Sequence, residues 1–241
     1  MRAELNEAAG RDWKRLLWLV IGGALLIRVW GTWYGLPFSF YADEYHEVMR
    51  ALELGMGSFN FNRVTKGGFY LLLFVEYGTY FVLLKLMGVV ATAQEFAEEF
   101  VRDPSAFYLM GRMTAAVFGT ITVAAAFFVA RQAYSVTAGL LAALFLAVNT
   151  LHIDLSRVIG VDVPMTMLAT LALYFALRIA DSGQRKDYLL AALCAALATT
   201  TKLTGIVVLL PLLIAHTYSV ANADSGLRGW FGSRNLWLAA L

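Results

Sequence analysis

One apolar stretch decides how this chain is threaded through a membrane: FYLLLFVEYGTYFVLLKLMGVV, residues 69–90. Its length suffices to cross a bilayer, which takes about 20 apolar residues. However, Glu76 and Lys85 within it each cost roughly 2.5–3.5 kcal/mol at the centre of a membrane helix. Asp43 precedes the stretch and Asp162 follows it. If the stretch crosses the membrane, the two acids face opposite compartments; if it lies on the outer surface, they share one.

The composition indicates an all-α, multi-pass membrane protein. The chain of 241 residues is 60% hydrophobic and 15% charged, whereas soluble domains carry about 25% charged residues. Apolar segments predict membrane helices in a single transmembrane domain that fills residues 1–241. They lie at roughly 16–36, 68–90, 107–130, 136–151, 163–180, 188–201, 203–219 and from 236 onward.

Residues 37–106 form the one long connection, and we predict that they are the first extracytoplasmic loop. They hold nine of the seventeen acidic residues, yet are too apolar and aromatic for a disordered linker. Amphipathic helices that lie on the membrane surface are expected near 43–56 and 92–102.

The N-terminal region resembles a signal peptide but offers no cleavage site. Arg11, Lys14 and Arg15 precede the apolar run 16–27, and no small-x-small pattern follows it. The sequence therefore predicts an uncleaved first helix with its N-terminus in the cytoplasm.

The distribution of basic residues decides between the two topologies. With 69–90 on the outer surface, Arg131, Arg185 and Lys186 lie in the cytoplasm, together with Arg228 and Arg234. A crossing stretch would move all five outside, against the positive-inside rule. We therefore expect seven crossings, which begin near 16, 107, 136, 163, 188, 203 and 236. The last has only six residues, so the chain is expected to be the N-terminal part of a larger module.

Several functions are disfavoured by composition. A net charge of +2, without a basic patch among aromatic residues, argues against a nucleic-acid partner. Cys194 is the only cysteine, which excludes an intrachain disulfide and a cysteine-based metal cluster. The sequence has no nucleotide-binding glycine motif. No metal ligand set is predicted, although separated acids and histidines leave a divalent cation as an open alternative.

On the expected topology, acids and bases gather at the outer membrane surface. The set comprises Asp43, Glu44, Arg112, Arg157, Asp162 and Lys202. Ionisable groups so close to hydrocarbon usually mark a site. A carboxylate can remove the proton of an incoming hydroxyl, while arginine and lysine stabilise a departing phosphate. The pattern therefore suits group transfer from an anionic lipid.

The order of these motifs resembles a known enzyme family. Asp43-Glu44 is followed by Gly111-Arg112-Met113-Thr114, by Ser156-Arg157 with Asp162-Val163-Pro164, and by Thr200-Thr201-Lys202. Together they resemble the N-terminal half of GT-C glycosyltransferases that use polyprenyl-phosphate sugars, in particular the protein O-mannosyltransferase and aminoarabinose-transferase-like group. Asp43-Glu44-Tyr45-His46 is similar to the Asp-Glu-x-His pattern of protein mannosyltransferases.

The resemblance implies an inverting transfer of a sugar to a hydroxyl of a protein, lipid or glycan at the extracytoplasmic face of the cell membrane. Asp43 becomes the candidate base, with Glu44 and Asp162 as further catalytic acids. Three basic residues are candidates to bind the donor phosphate: Arg112, Arg157 and Lys202. His46 and Lys66 are candidates on the acceptor side.

One departure and three alternatives accompany this interpretation. Where the group that this chain resembles usually has a His-Pro-Pro or Pro-Pro-Leu element, the sequence reads Val64-Thr65-Lys66-Gly67-Gly68-Phe69-Tyr70. This departure concerns the identity of the acceptor more than the chemistry of transfer. Instead of catalysis, the acids at 43 and 44 could cap a surface helix and supply negative charge to its first turn. A transporter or lipid-binding scaffold would also place charges in the membrane, although no inverted repeat is visible. A non-catalytic fragment of a GT-C enzyme is the third alternative.

Overall fold

A computed structural model describes residues 2–58, 67–222, 230, 232–233 and 235–237, and the side chains from residue 12 onward within them. The helices of this part are α1 (Arg2–Val29), α2 (Ala42–Gly55), α3 (Gly68–Leu86), α4 (Ala93–Arg102), α5 (Ser105–Ala133), α6 (Val136–Ala147), α7 (Thr150–Leu155), α8 (Asp162–Ser182), α9 (Arg185–Thr201) and α10 (Leu209–Asn222), with a 3₁₀ turn at Leu203–Val208 between the last two. Within the described residues the fold is all-α, which confirms the predicted class.

Four helical segments are long and apolar enough to cross a membrane among the residues described. They are Gly68–Leu86, Ser105–Ala133, Asp162–Ser182 and Leu203–Ala221, and α6 is a shorter apolar helix. Three of them coincide with predicted crossings. The fourth is α3, so length and composition alone do not exclude a crossing there. The predicted crossing from residue 236 falls largely outside the described part.

The bundle has α5 and α8 at its centre, running side by side in the same direction. Gly111 of α5 packs against Ile159, just before α8, and Phe128 contacts Tyr174 further along, with ring centroids 6.0 Å apart. Helix α9 returns antiparallel along α8, so that Lys202 meets Asp162. We call the end of the bundle where α5 and α8 begin and α9 ends the site end.

Helix α3 follows the half of α5 that lies nearer the site end. At its start, Phe69 contacts Phe118 with ring centroids 6.0 Å apart. Two turns later, the Tyr77 hydroxyl donates to the Phe107 carbonyl at 3.1 Å. Phe107 lies eleven residues nearer the site end, or about 16 Å of helix. Helix α3 therefore runs along α5 toward the site end.

Beyond that point α3 packs on the two helices predicted to lie on the surface. Tyr80 contacts Phe96 of α4, with ring centroids 5.7 Å apart, and α2 packs along α3. Helix α4 turns its phenylalanines inward and its acids outward, and its N-terminus is capped because Thr92 Oγ1 accepts from the amide of Glu95. These contacts favour the surface position expected for the stretch 69–90, and its sidedness stays a prediction.

Two apolar segments that were expected to be continuous are interrupted. The segment 136–151 ends at Ala147, and Asn149 caps the separate helix α7 by accepting from the amide of His152 at 2.9 Å. The segment 203–219 begins as a 3₁₀ turn after an extended Lys202, whose φ is −150°. Both interruptions lie at the site end.

Candidate active site

A buried ion pair between Glu44 and Arg112 occupies the centre of the site end. The Arg112 guanidinium donates through Nε to Glu44 Oε1 at 2.8 Å and through Nη2 to Oε2 at 2.7 Å. Glu44 is 0% exposed and Arg112 is 4% exposed. Two parallel charge-assisted bonds of this kind are strong and fix the geometry of both partners.

The remaining bonds of this pair tie three segments together. Arg112 Nη1 donates to the carbonyls of Thr32 and Tyr34, after α1, at 2.8 and 2.9 Å. Glu44 also accepts from the Ser39 hydroxyl at 2.7 Å and from the Ile159 amide at 3.0 Å. The pair therefore fixes the start of α2 against both the end of α1 and the loop that leads into α8.

Asp43 lies in the first turn of α2 and is half-buried. The residue at the N-cap position is Tyr41, and no side chain caps this helix, but both acids lie in its first turn, where the helix dipole favours carboxylates. Glu44 faces inward to Arg112, whereas His46 and its ring neighbour Tyr45 are exposed. The two adjacent acids therefore have different environments, and Asp43 is the more accessible one.

Asp162 and Lys202 form a second ion pair at the site end. The ammonium of Lys202 contacts Asp162 Oδ1, and their side chains are 30% and 38% exposed. Asp162 is the first residue of α8, where the positive end of the helix dipole favours a carboxylate. Lys202 occupies the extended residue between α9 and the 3₁₀ turn, which a continuous helix would not provide. A lysine that is this accessible can exchange its carboxylate for another anion.

The two pairs are linked through a short piece of backbone. Glu44 holds the amide of Ile159, and Asp162 follows three residues later. Tyr41 also lies beside Gly160, at 4.0 Å from where a Cβ would stand. The structure thus brings the start of α2 and the start of α8 to the same end of the bundle.

Arg157 points to a different flank. Its Nη2 donates to the Ile27 carbonyl of α1 at 2.6 Å, and its Nη1 lies 3.9 Å from Asp154. It is therefore not brought together with Asp162 and Lys202. Lys66, the other predicted contact on the acceptor side, lies outside the described residues.

Gly67 and Gly68, at the start of α3, allow a close approach to the end of α9. The amide of Gly67 donates to the Thr201 carbonyl at 3.3 Å. A Cβ at Gly68 would lie 2.6 Å from Thr201 Oγ1. The start of α3 therefore packs directly on the residue before Lys202, an approach that only glycine allows.

Sequence reasoning missed the role of Arg28, which is 0% exposed within α1. Its guanidinium donates to the carbonyls of Leu146 and Ala147 at the end of α6, at 3.1 and 3.2 Å. Nη2 also lies 2.9 Å from Nδ1 of His152. Burial, followed by the charge of Arg28, lowers the pKa of His152 to about 4, so the ring is neutral. The only signal in the sequence was a lone arginine inside an apolar helix.

A second missed group continues the face of α2 that carries Asp43. Glu47 and Arg50 follow it at four and seven residues, one and two turns further on. Glu47 is 2% exposed, and its Oε1 lies 3.4 Å from Arg50 Nη1. The Arg50 guanidinium also lies over the Tyr70 ring at 5.7 Å, in the first turn of α3. Charged side chains therefore line the α2–α3 contact beside the candidate base.

Within the described residues, no cluster of three or more histidine, cysteine or acidic side chains forms a metal site. The chemistry this arrangement can supply by itself is a carboxylate for proton removal and an ammonium for anion binding.

Replacing Gly119 of α5 by alanine is expected to destabilise the protein by about 1–3 kcal/mol, because the new methyl group overpacks the core. A Cβ there would lie 2.2 Å from Ser156 Oγ and 3.0 Å from Arg28 Nε. Thermal unfolding of purified Gly119→Ala in detergent measures the loss. Gly22→Ala is the matched control, since nothing lies within 4 Å of its new Cβ. Equal unfolding temperatures for both variants would contradict the tight contact.

Comparison with known proteins supplies one finding. The family model described as dolichyl-phosphate-mannose-protein mannosyltransferase matches residues 108–241. None of the curated proteins compared with the chain matches it. The matched range includes Arg112, Arg157, Asp162 and Lys202 and begins after Asp43 and Glu44.

Proposed function

The chain belongs to the dolichyl-phosphate-mannose-protein mannosyltransferase family and is a membrane glycosyltransferase, and we propose that it transfers a sugar from a polyprenyl-phosphate carrier to a hydroxyl acceptor. The acceptor is a protein, lipid or glycan, and the reaction takes place at the extracytoplasmic face of the cell membrane. The N-terminus lies in the cytoplasm, and residues 1–241 form one transmembrane domain with 37–106 as its first outer loop.

The bond between Glu44 and the Ile159 amide carries this proposal. It holds Asp43, the residue before Glu44, at the same end of the bundle as Asp162 and Lys202. A transfer between a hydroxyl and a lipid phosphate needs a base and a cation at one reaction chamber. The position of α3 along the half of α5 nearer the site end supports a single reaction chamber as well.

The proposed reaction is a single displacement at the anomeric carbon of the sugar. Asp43 accepts the proton of the acceptor hydroxyl while the oxygen of that hydroxyl attacks the anomeric carbon. The bond from this carbon to the phosphate oxygen breaks, and its electron pair leaves with the lipid phosphate. Lys202 stabilises the charge that develops on this oxygen, and attack opposite the leaving group inverts the configuration.

The other charged residues have supporting roles in this proposal. Glu44 and Arg112 position Asp43 rather than contact the reacting atoms, because they are buried and hydrogen-bonded to each other. Asp162 holds Lys202 in place until the donor phosphate replaces Asp162 as the partner of the ammonium. Arg157 contacts a lipid phosphate on the side of the bundle that faces α1. His46 and Lys66 contact the acceptor.

A direct test follows the sugar. The purified protein is incorporated into vesicles that contain polyprenyl-phosphate mannose labelled in the sugar. The proposal predicts that the label passes from the organic-soluble lipid to a water-soluble or protein-bound product and that the lipid phosphate appears in equal amount. Transport of the intact lipid across the vesicle, without cleavage, would support the transporter alternative instead.

Replacing Lys202 by methionine is expected to lower kcat/KM for the donor by about 10²–10³-fold, because it removes a charge that stabilises the leaving phosphate. Initial rates over a range of donor concentrations measure the change. Lys85→Met removes the same charge from an exposed position near the end of α3 and serves as the control. A Lys202→Met enzyme with the kcat/KM of the control would exclude Lys202 from the phosphate site.

A further inference from the structure

The connection between α1 and α2 is strongly aromatic and carries no charge. Residues 30–41 read WGTWYGLPFSFY, in which six of the twelve side chains are aromatic and none is acidic or basic. The sequence predicted that a membrane helix extends from 16 to 36, but α1 ends at Val29. The last part of the apolar segment therefore lies outside the helix. We call residues 30–41 the aromatic loop.

The rings of the aromatic loop point away from the bundle. Trp30, Tyr34, Phe38 and Phe40 are 71–77% exposed, and Trp33 is also exposed. Some of the rings contact each other: the centroids of Trp30 and Trp33 are 5.8 Å apart, and those of Tyr34 and Phe40 are 6.2 Å apart. These rings therefore form an apolar surface on the outside of the protein.

The polar side chains of the aromatic loop point inward. Thr32 is buried and donates to the Val29 carbonyl at 3.0 Å. The Ser39 hydroxyl donates to Glu44 at 2.7 Å. The outward surface thus offers few hydrogen-bonding groups besides the Tyr34 hydroxyl and the indole N–H groups. A platform for a hydrophilic acceptor would need more of them, because specificity for such a ligand comes from placed polar groups.

The backbone of the aromatic loop is hydrogen-bonded within the protein. Arg112 donates to the carbonyls of Thr32 and Tyr34. Gly31 and Gly35, with φ of +91° and +78°, allow a series of tight turns. In these turns four amides donate to the carbonyl three residues earlier, at 2.8–3.3 Å: those of Thr32, Tyr34, Leu36 and Phe38. Surroundings that are poor in water require such internal partners.

The exposed rings continue an apolar stripe of α1. Leu19 and Leu26 are exposed two turns apart, and Trp30 follows one turn later, with its amide still bonded to the Leu26 carbonyl at 2.9 Å. The apolar part of α1, from Leu16 to Val29, is about 21 Å long. The hydrocarbon core of a bilayer is about 30 Å thick. The apolar surface therefore has to continue beyond the end of the helix.

We propose that the aromatic loop lies in the headgroup region of the membrane leaflet at the site end, with its rings against the lipid, and that it fixes the depth of the start of α2. Tryptophan and tyrosine favour this region because their rings are apolar and carry one polar group. The loop determines the depth of the candidate base because it is bonded to both Glu44 and Arg112. The contact with lipid does not require that the protein transfers a sugar.

A spin label on the loop measures what surrounds it. Cys194→Ala removes the only cysteine, so that one nitroxide can be attached at Phe38→Cys in phosphatidylcholine vesicles. Its collisions with oxygen, which concentrates in lipid, are expected to exceed those with a water-soluble nickel chelate several-fold, as at the reference Leu26→Cys. Glu98→Cys, on the exposed face of α4, should show the opposite order. A label at position 38 that behaves like the one at position 98 would overturn the inference and favour a surface for a soluble acceptor.

The native tryptophans provide a second measurement without a label. The emission of Trp30 and Trp33 is the difference between the wild type and the double variant Trp30→Phe/Trp33→Phe. Phosphatidylcholine brominated on its acyl chains is expected to quench most of this emission, and aqueous acrylamide little of it. The opposite order would contradict the lipid contact. Quenching by the brominated lipid in a protein that transfers no sugar would uphold the contact and contradict the proposed function instead.

Discussion

The variant Asp43→Asn is expected to lose sugar transfer by about 10²–10⁴-fold while it keeps its fold and its affinity for the donor. The amide has nearly the shape of the carboxylate but cannot accept the acceptor proton at neutral pH, and a positioned general base contributes a factor of this size. Initial rates with labelled donor measure the loss. Because Asp43 is proposed to act on the acceptor, binding of polyprenyl phosphate should be unchanged.

Asp154→Asn is the matched control for this experiment. Asp154 also lies at the site end, with its side chain 73% exposed, and it makes only a long contact to Arg157. The control should transfer sugar at nearly the wild-type rate. An Asp43→Asn protein that turned over as fast as this control would show that another group removes the proton.

Replacing Glu44 by alanine is expected to destabilise the protein by about 3–5 kcal/mol. The change leaves the buried Arg112 guanidinium without its carboxylate, and breaking a buried ion pair costs that much because an uncompensated charge remains. It also removes the acceptor for the Ile159 amide and the Ser39 hydroxyl. Thermal unfolding in detergent, followed by tryptophan fluorescence, measures the loss.

An exposed ion pair within α4 provides the comparison. Arg102 Nη1 lies 2.6 Å from Glu99 Oε1, and the Arg102 side chain is 75% exposed. Such pairs contribute about 0–1 kcal/mol, so Glu99→Ala should be nearly neutral. A double-mutant cycle of Glu44→Ala with Arg112→Ala should show strong coupling. Independent, additive effects would mean that the pair does not hold the site end together.

The sequence predicted which charged residue types gather at one site, but not which of them form buried ion pairs with each other. Asp43 and Glu44 are equivalent as a motif, and both were candidates for catalysis. Only the packing shows that Glu44 accepts four hydrogen bonds at full burial. The same packing turns Arg112 from a candidate phosphate ligand into the partner of Glu44, because its donors are directed to that carboxylate and to two carbonyls.

The interrupted helices show a similar limit of prediction from the sequence. The apolar segments 136–151 and 203–219 have no charged residue that would stop a helix, and hydropathy treats each as continuous. Asn149 ends the first by capping a new helix, and the contact of Gly205 with α9 accompanies the 3₁₀ turn in the second. Cap and contact geometry of this kind depends on the neighbouring helix rather than on composition.

By itself, the sequence determined the all-α membrane class, the two amphipathic helices within residues 37–106 and the resemblance to the family. These properties are local: apolar length and side-chain periodicity can be read from the order of residues. The tertiary structure decided that α3 runs along the half of α5 nearer the site end, that Glu44 and Arg112 form an ion pair with each other, and that Arg157 faces α1. Those outcomes depend on contacts between residues up to 130 positions apart, and no local pattern records which partner a buried charge will find.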